Sequence, residues 1–169
     1  MLGVQLNQIQ YYSNTGDNIS NSLVNTIALP STTQALTLSF IAYYSIERDY
    51  DLVQVKVNGE PIASNYTQAL NPYYGDIGPY ISGDSFLNSD AKQPNGYLTH
   101  KFDLSAYAGQ TITLSFNYKT DTYSHYFGLV VDDILVVDKL AEMFILGCTV
   151  DYVKEFGGSY LKVVNPNAT

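Results

Sequence analysis

Six of the sixteen acidic side chains of this 169-residue chain fall in three short groups: Asp17 beside Asn18, then Glu47, Asp49 and Asp51, then Asp132 with Asp133. Each group borders a stretch of strand-like alternation, so folding would carry them to strand ends. Calcium takes roughly six to eight oxygens from carboxylates, amide carbonyls and backbone carbonyls. Carboxylates brought together repel unless a cation stands between them. The same acids could also cap turns and face water, and the residue types alone leave both readings open.

Other groups with chemical potential are weaker. Gly83-Asp84-Ser85, with Asp121 and His125 further on, has the residue types of a serine hydrolase. That chemistry needs an α/β scaffold, and no alternation of strands and helices is present, so no enzyme is expected. His100 and His125 lack metal-ligand spacing and read as packed or surface imidazoles. Tyr73, Tyr74 and Tyr80 crowd one segment and Tyr123 and Tyr126 another. Tyrosines in loops can stack on sugars or anchor a partner, or simply pack. Sequons at Asn18, Asn65 and Asn167 permit glycosylation without indicating it.

The elements that must position these groups are strands. Ala35 to Tyr43, Leu52 to Val57 and Thr111 to Tyr118 alternate apolar and polar residues. A period of two puts Ile112, Leu114, Phe116 and Tyr118 on one face. Val4 to Gln10 starts with the same period. Asn58-Gly59 predicts a hairpin turn, Asn95-Gly96 precedes a strand from Tyr97 to Phe102, and Gly109-Gln110 leads into the strand at Thr111. Helix is expected only at Lys139 to Leu146, where a strand over Phe144 to Val153 competes. The result is an all-β, antiparallel sandwich, treated as a single domain over 1–169. Within it, residues 63–94 form a long excursion, expected to cross one end of the sandwich, and residues 139–169 remain an unassigned extension.

Composition narrows the class. Sixteen acidic residues against eight basic ones give a formal net charge of −8. Nucleic acid needs basic side chains to neutralise phosphates, so it is excluded as a partner. No apolar run approaches the length of a membrane span, so membrane insertion is not expected. Charged residues make up 14% of the chain, below the usual value of about 25%. Sixteen tyrosines and abundant uncharged polar residues suit an extracellular surface. Cys148 is the sole cysteine, follows apolar neighbours and is expected to be a buried thiol. The opening residues do not have the pattern of a secretory leader.

Four segments together carry a family resemblance: YYSNTGDNISNSLVNTIALP from Tyr11, YYSIERDYDLVQVKVNG from Tyr43, FDLSAYAGQTITLSFNYKTD from Phe102, and GLVVDDILV from Gly128. Their order and spacing resemble the MAM-like, galactose-binding-like jelly-roll modules appended to secreted metalloproteases of the immune inhibitor A family. The resemblance covers residues 11–138. It implies a jelly roll with a structural calcium, for which Asp17, Glu47, Asp51 and Asp133 are the expected ligands and Asn18, Asp49 and Asp132 the alternates. The protease motif His-Glu-x-x-His is absent, so zinc catalysis does not carry over.

Two functions follow as expectations. One is a secreted, calcium-stabilised structural subunit that self-assembles into a filament, tubule or surface array by strand addition between copies. The other is an accessory module of a larger secreted protein, holding a glycan or a protein surface through Tyr73, Tyr74, Tyr80, Tyr123 and Tyr126.

Overall fold

A computed structural model describes residues 4–5, 10–88, 96–139, 149–155 and 158–164. The elements in chain order are β1 (Val4–Gln5), β2 (Tyr11–Tyr12), β3 (Ser20–Ala28), β4 (Leu36–Ile46), β5 (Leu52–Val57), β6 (Glu60–Pro61), β7 (Gly83–Asp84), β8 (Leu98–Asp103), β9 (Thr111–Lys119), β10 (Gly128–Asp138), β11 (Thr149–Glu155) and β12 (Gly158–Val164). Two short 3-10 turns, Ser85–Leu87 and Ser105–Tyr107, also lie among the described residues. All strand pairings are antiparallel. The expected helix beyond Lys139, Cys148 and the sequon at Asn167 lie outside the described residues.

Two sheets form a jelly-roll-like sandwich. In the first, β10 lies between β4 and the N-terminal segments β1 and β2, while β4 pairs on its other side with β8 and β7. The second has the order β3-β9-β5-β6. Alternation supplies the core directly. Leu36, Leu38, Phe40, Ala42, Tyr44 and Ile46 of β4 face Ile112, Leu114, Phe116 and Tyr118 of β9, and all are buried. The β11–β12 hairpin pairs only with itself among the described residues.

Three local features depart from simple alternation, each for a visible reason. In β10 the inward residues are Leu129 and Val131, then Ile134 and Val136. Register with β4 runs from Asp132 opposite Ile41 to Leu135 opposite Ser39, one extra residue on β10. This is a β-bulge, with Asp133 at φ 52°, and it shifts the phase of the strand. In β5, Gln54 is buried along with its apolar neighbours because its amide donates to the carbonyl of Ile77 at 2.7 Å. At Asn58-Gly59 both residues have positive φ, 53° and 92°, as a tight hairpin turn requires.

The long excursion takes a different course from the one expected. Over its described residues, 63–88, it runs along the side between the sheets rather than across an end. Ser64 bridges to Phe102 of β8, Gln68 to Tyr80, Ile81 to Val53 of β5, and Gly83–Asp84 pair with Ile46 and Ser45 of β4. The segment therefore fastens the β5 side of one sheet to the β4–β8 side of the other. Backbone groups left free by two sheet edges are thereby satisfied.

His100 belongs to this core. It is buried, its ring stacks on Phe40 at 5.1 Å, and its Nδ1 lies 3.1 Å from the Ser64 hydroxyl. Its Nε2 has no hydrogen-bond partner. Burial pushes its pKa down to about 3. The unfolded imidazole takes a proton near about 6.5. Its contribution to stability is therefore complete above that value and is lost as pH falls toward 3. His100→Phe, which keeps the aromatic stack, is expected to flatten this part of the pH–stability curve. Denaturant unfolding between pH 7 and 4, compared with the parent chain, measures it.

Candidate metal centre

Three acidic side chains, Glu47, Asp51 and Asp121, meet where β4 ends, β5 begins and β9 ends. β4 stops at Ile46 and β5 starts at Leu52, and the intervening turn is closed by the Asp51 amide donating to the Glu47 carbonyl at 3.0 Å. The β5–β9 register sets Leu52 opposite Lys119, which brings Asp51, just before β5, close to Asp121, two residues past the end of β9. The Asp121 amide donates to Asp51 Oδ1 at 2.9 Å. Carboxylate oxygens of Glu47, Asp51 and Asp121 all lie within 4.8 Å of one another.

Burial gives this cluster its character. Asp51 is fully buried, and Glu47 and Asp121 are partly covered. Asp51 Oδ2 and Glu47 Oε2 are both buried without any hydrogen-bond partner. Burial first, then the charges of Asp121, Glu47 and Asp17, push the Asp51 pKa up to about 6, against a lowering from the Asp121 amide. The Tyr118 hydroxyl is a third orphaned oxygen, raised to about 12 by burial and then by Asp51. Orphaned anionic oxygens that converge are what a hard cation would satisfy, and every side-chain donor here is oxygen. Glu47, Asp51 and Asp121 could hold such an ion.

The other acids named from the sequence divide into neighbours and bystanders. Asp17 is close enough to raise Asp51, but its Oδ1 is 2.7 Å from His125 Nδ1. Asn18 reaches the cluster through its backbone, its amide donating to the Asp121 carbonyl at 2.6 Å. Asp49 turns instead to the hydroxyl of Tyr80, which donates to its Oδ1 at 2.9 Å. Asp132 sits opposite Ile41 and accepts from Gln10 at 3.1 Å. Six residues separate Ile41 from Glu47, roughly 20 Å of extended strand. Asp132 and the bulge residue Asp133 are thus placed away from the three-carboxylate group. Asp121 was missed as a ligand because nothing local marks it; the β5–β9 pairing is what brings it to Asp51.

The tyrosines divide similarly. Tyr80 is fully buried and holds the excursion to Asp49, so it offers no surface to a ligand. Tyr73, Tyr74, Tyr123 and Tyr126 are exposed. Tyr73 stacks on Tyr50, centroids 4.2 Å apart, and the Tyr74 hydroxyl donates to the Tyr50 carbonyl at 3.3 Å. The hydrolase arrangement does not form: Ser85 Oγ is buried against the backbone of Tyr44, and His125 faces Asp17.

The family described as "Immune inhibitor A-like, MAM domain" matches residues 5–145, wider on both sides than the segments that carried the resemblance. The chain is 41% identical over 127 residues to the pre-pro-metalloprotease PrtV of two Vibrio cholerae serotype O1 strains, M66-2 and ATCC 39315 / El Tor Inaba N16961. That match spans 75% of this chain and 13% of each relative. A 34-residue stretch is 41% identical to an uncharacterized protein of Rickettsia prowazekii strain Madrid E, covering 20% of this chain and 31% of that one.

The raised Asp51 pKa has a defined sign. Without metal, the folded state holds the Asp51 proton more tightly than the unfolded state. This contribution to stability is complete below about 4 and is lost as pH rises through about 6. In chelator at pH 7, Asp51→Asn is expected to stabilise the chain by on the order of 1–2 kcal/mol, because it removes a buried charge and keeps an acceptor for the Asp121 amide. Urea unfolding of both proteins in EDTA at pH 7 and pH 4.5 checks this; the gain should shrink at the lower pH.

Proposed function

Because the chain belongs to the immune inhibitor A-like MAM domain family, we propose that it serves as a non-catalytic, calcium-stabilised module of a larger extracellular protein, holding a ligand or a neighbouring domain. The observation that carries the metal half of this reading is the pair of buried, orphaned oxygens on Asp51 and Glu47, converging with Asp121. Calcium suits them by donor type, and a cation there would tie the β4–β5 turn to the end of β9. Its binding energy would add to folding stability, since the unfolded chain has no such site.

The accessory role rests on the family and on the pre-pro-metalloprotease relatives, of which the chain spans about one eighth, 13%. It also rests on the edge that strand donation from the N-terminus would need. β1 and β2 already pair with β10 of the same chain, Val4 with Val136 and Tyr11 with Val131. Self-assembly retains one supporting feature, the outer edge of β3, a nine-residue strand that pairs only with β9 among the described residues.

Calcium at about 100 times its Kd is expected to add roughly 2.7 kcal/mol to stability. The gain should disappear in Asp51→Asn and Asp121→Asn and persist in Asp133→Asn; thermal melts with calcium and with EDTA read it. Light scattering should find the same monomer mass in both conditions. Calcium-dependent growth of particles that is abolished by Val24→Pro on β3 would instead establish assembly through that edge.

A further inference from the structure

Beside the acidic cluster lies a cleft of about 460 Å³, within the range of roughly 300–1,000 Å³ usual for small-molecule sites. One wall is aromatic. Tyr50 presents a ring held from behind by Tyr73, and Tyr74 is fixed through its hydroxyl to the Tyr50 backbone. Also lining it are Asn18, Thr122 and Lys119, the one basic side chain of the lining. Asp121 lines the same cleft, so this carboxylate belongs both to the cluster and to the cleft. The Tyr50 pKa is raised first by its hydrogen bond with Tyr73 and that of Tyr74 first by burial, and Glu47 and Asp121 add smaller contributions to both.

These surfaces have a common chemical complement. A ring held by a second ring offers an apolar face at little entropic cost. Amide and hydroxyl groups offer uncharged donors and acceptors. Lys119 and Asp121 carry opposite charges, so the lining favours neither an anion nor a cation. Three carboxylates offering one oxygen each supply fewer than the roughly six to eight calcium takes. Of the three, Asp121 alone lines the cleft, so it is on its side that a ligand's oxygens could displace water from the ion. A pyranose has an apolar face and adjacent hydroxyls.

We propose that this cleft binds a neutral saccharide, stacked on Tyr50 and Tyr74, with two adjacent hydroxyls completing the shell of the cation held by Glu47, Asp51 and Asp121. The proposal rests on the calcium reading above. It adds a ligand class, and it makes recognition depend on the metal. It also gives the partly covered Asp121 a role that a closed structural site would not require.

The test uses the full chain and two separate titrations. Calcium binding is measured first, by calorimetry on metal-stripped protein. The calcium-loaded protein is then titrated with methyl glycosides of glucose, galactose, mannose and N-acetylglucosamine, and with cellobiose, chitobiose and lactose, using saturation-transfer NMR and calorimetry. At least one sugar should bind, and EDTA should abolish that binding. Tyr50→Ala should weaken it roughly tenfold with calcium affinity and melting temperature unchanged, while Tyr50→Phe stays within about threefold of the parent. A calcium-loaded protein that binds none of these sugars overturns the proposal, as does sugar binding that survives EDTA or is indifferent to Tyr50→Ala. If calorimetry shows no calcium binding, the proposal falls with its premise, and the first titration alone reveals it.

Discussion

A carboxylate taken out of water must be met by a proton, by hydrogen bonds or by a cation, and Asp51 is given one backbone amide for its two oxygens. Its neighbours make this harder, since Glu47, Asp121 and Asp17 all raise the cost of its charge. Yet the surrounding backbone is built around it. The turn from Glu47 to Asp51 is closed by a main-chain hydrogen bond, Ser82 donates to the Asp51 carbonyl, and Asn18 is strapped to Asp121. Four segments far apart in sequence thus end on one small volume of concentrated negative charge. The stability of this end of the sandwich is governed by what neutralises that volume.

His100 is the complementary case in the same core. Its ring is buried neutral between Phe40 and Tyr66, and acidification works against it. Asp51 without metal has the opposite sign, because acidification relieves it. Between about pH 4 and 6 the two oppose each other, so the metal-free chain has a flatter acid response than either group would give alone. A cation at the cluster would remove the Asp51 side of that balance and leave the histidine.

The excursion from Ala63 onward links this chemistry to the fold. By closing the side between the sheets it buries Gln54 and Tyr80, and Tyr80 in turn draws Asp49 away from the other acids. The same segment delivers Tyr73 and Tyr74 to the rim, beside Tyr50. The excursion therefore closes one side of the sandwich and supplies Tyr74 and Ile77 to the cleft.

Much of the architecture was legible in the chain because strand alternation is a local signal. The faces of β4 and β9, the Asn58-Gly59 turn and the start of β9 after Gly109-Gln110 follow from residue order alone, since backbone geometry fixes where each side chain points. The bulge in β10 was not legible: Asp132-Asp133 interrupts the alternation, but only pairing with β4 shows that one residue is inserted there. Glu47 and Asp51 could be picked out as neighbours across a turn. Asp121 joins them through register between two strands, and Asp49 leaves them through a hydroxyl arriving from another segment. Sequence thus determined which residues lie on strands and which faces are apolar, because those depend on spacing along one chain. Which carboxylates share a site was decided by the tertiary structure, because that depends on how separate strand ends are brought to the same place.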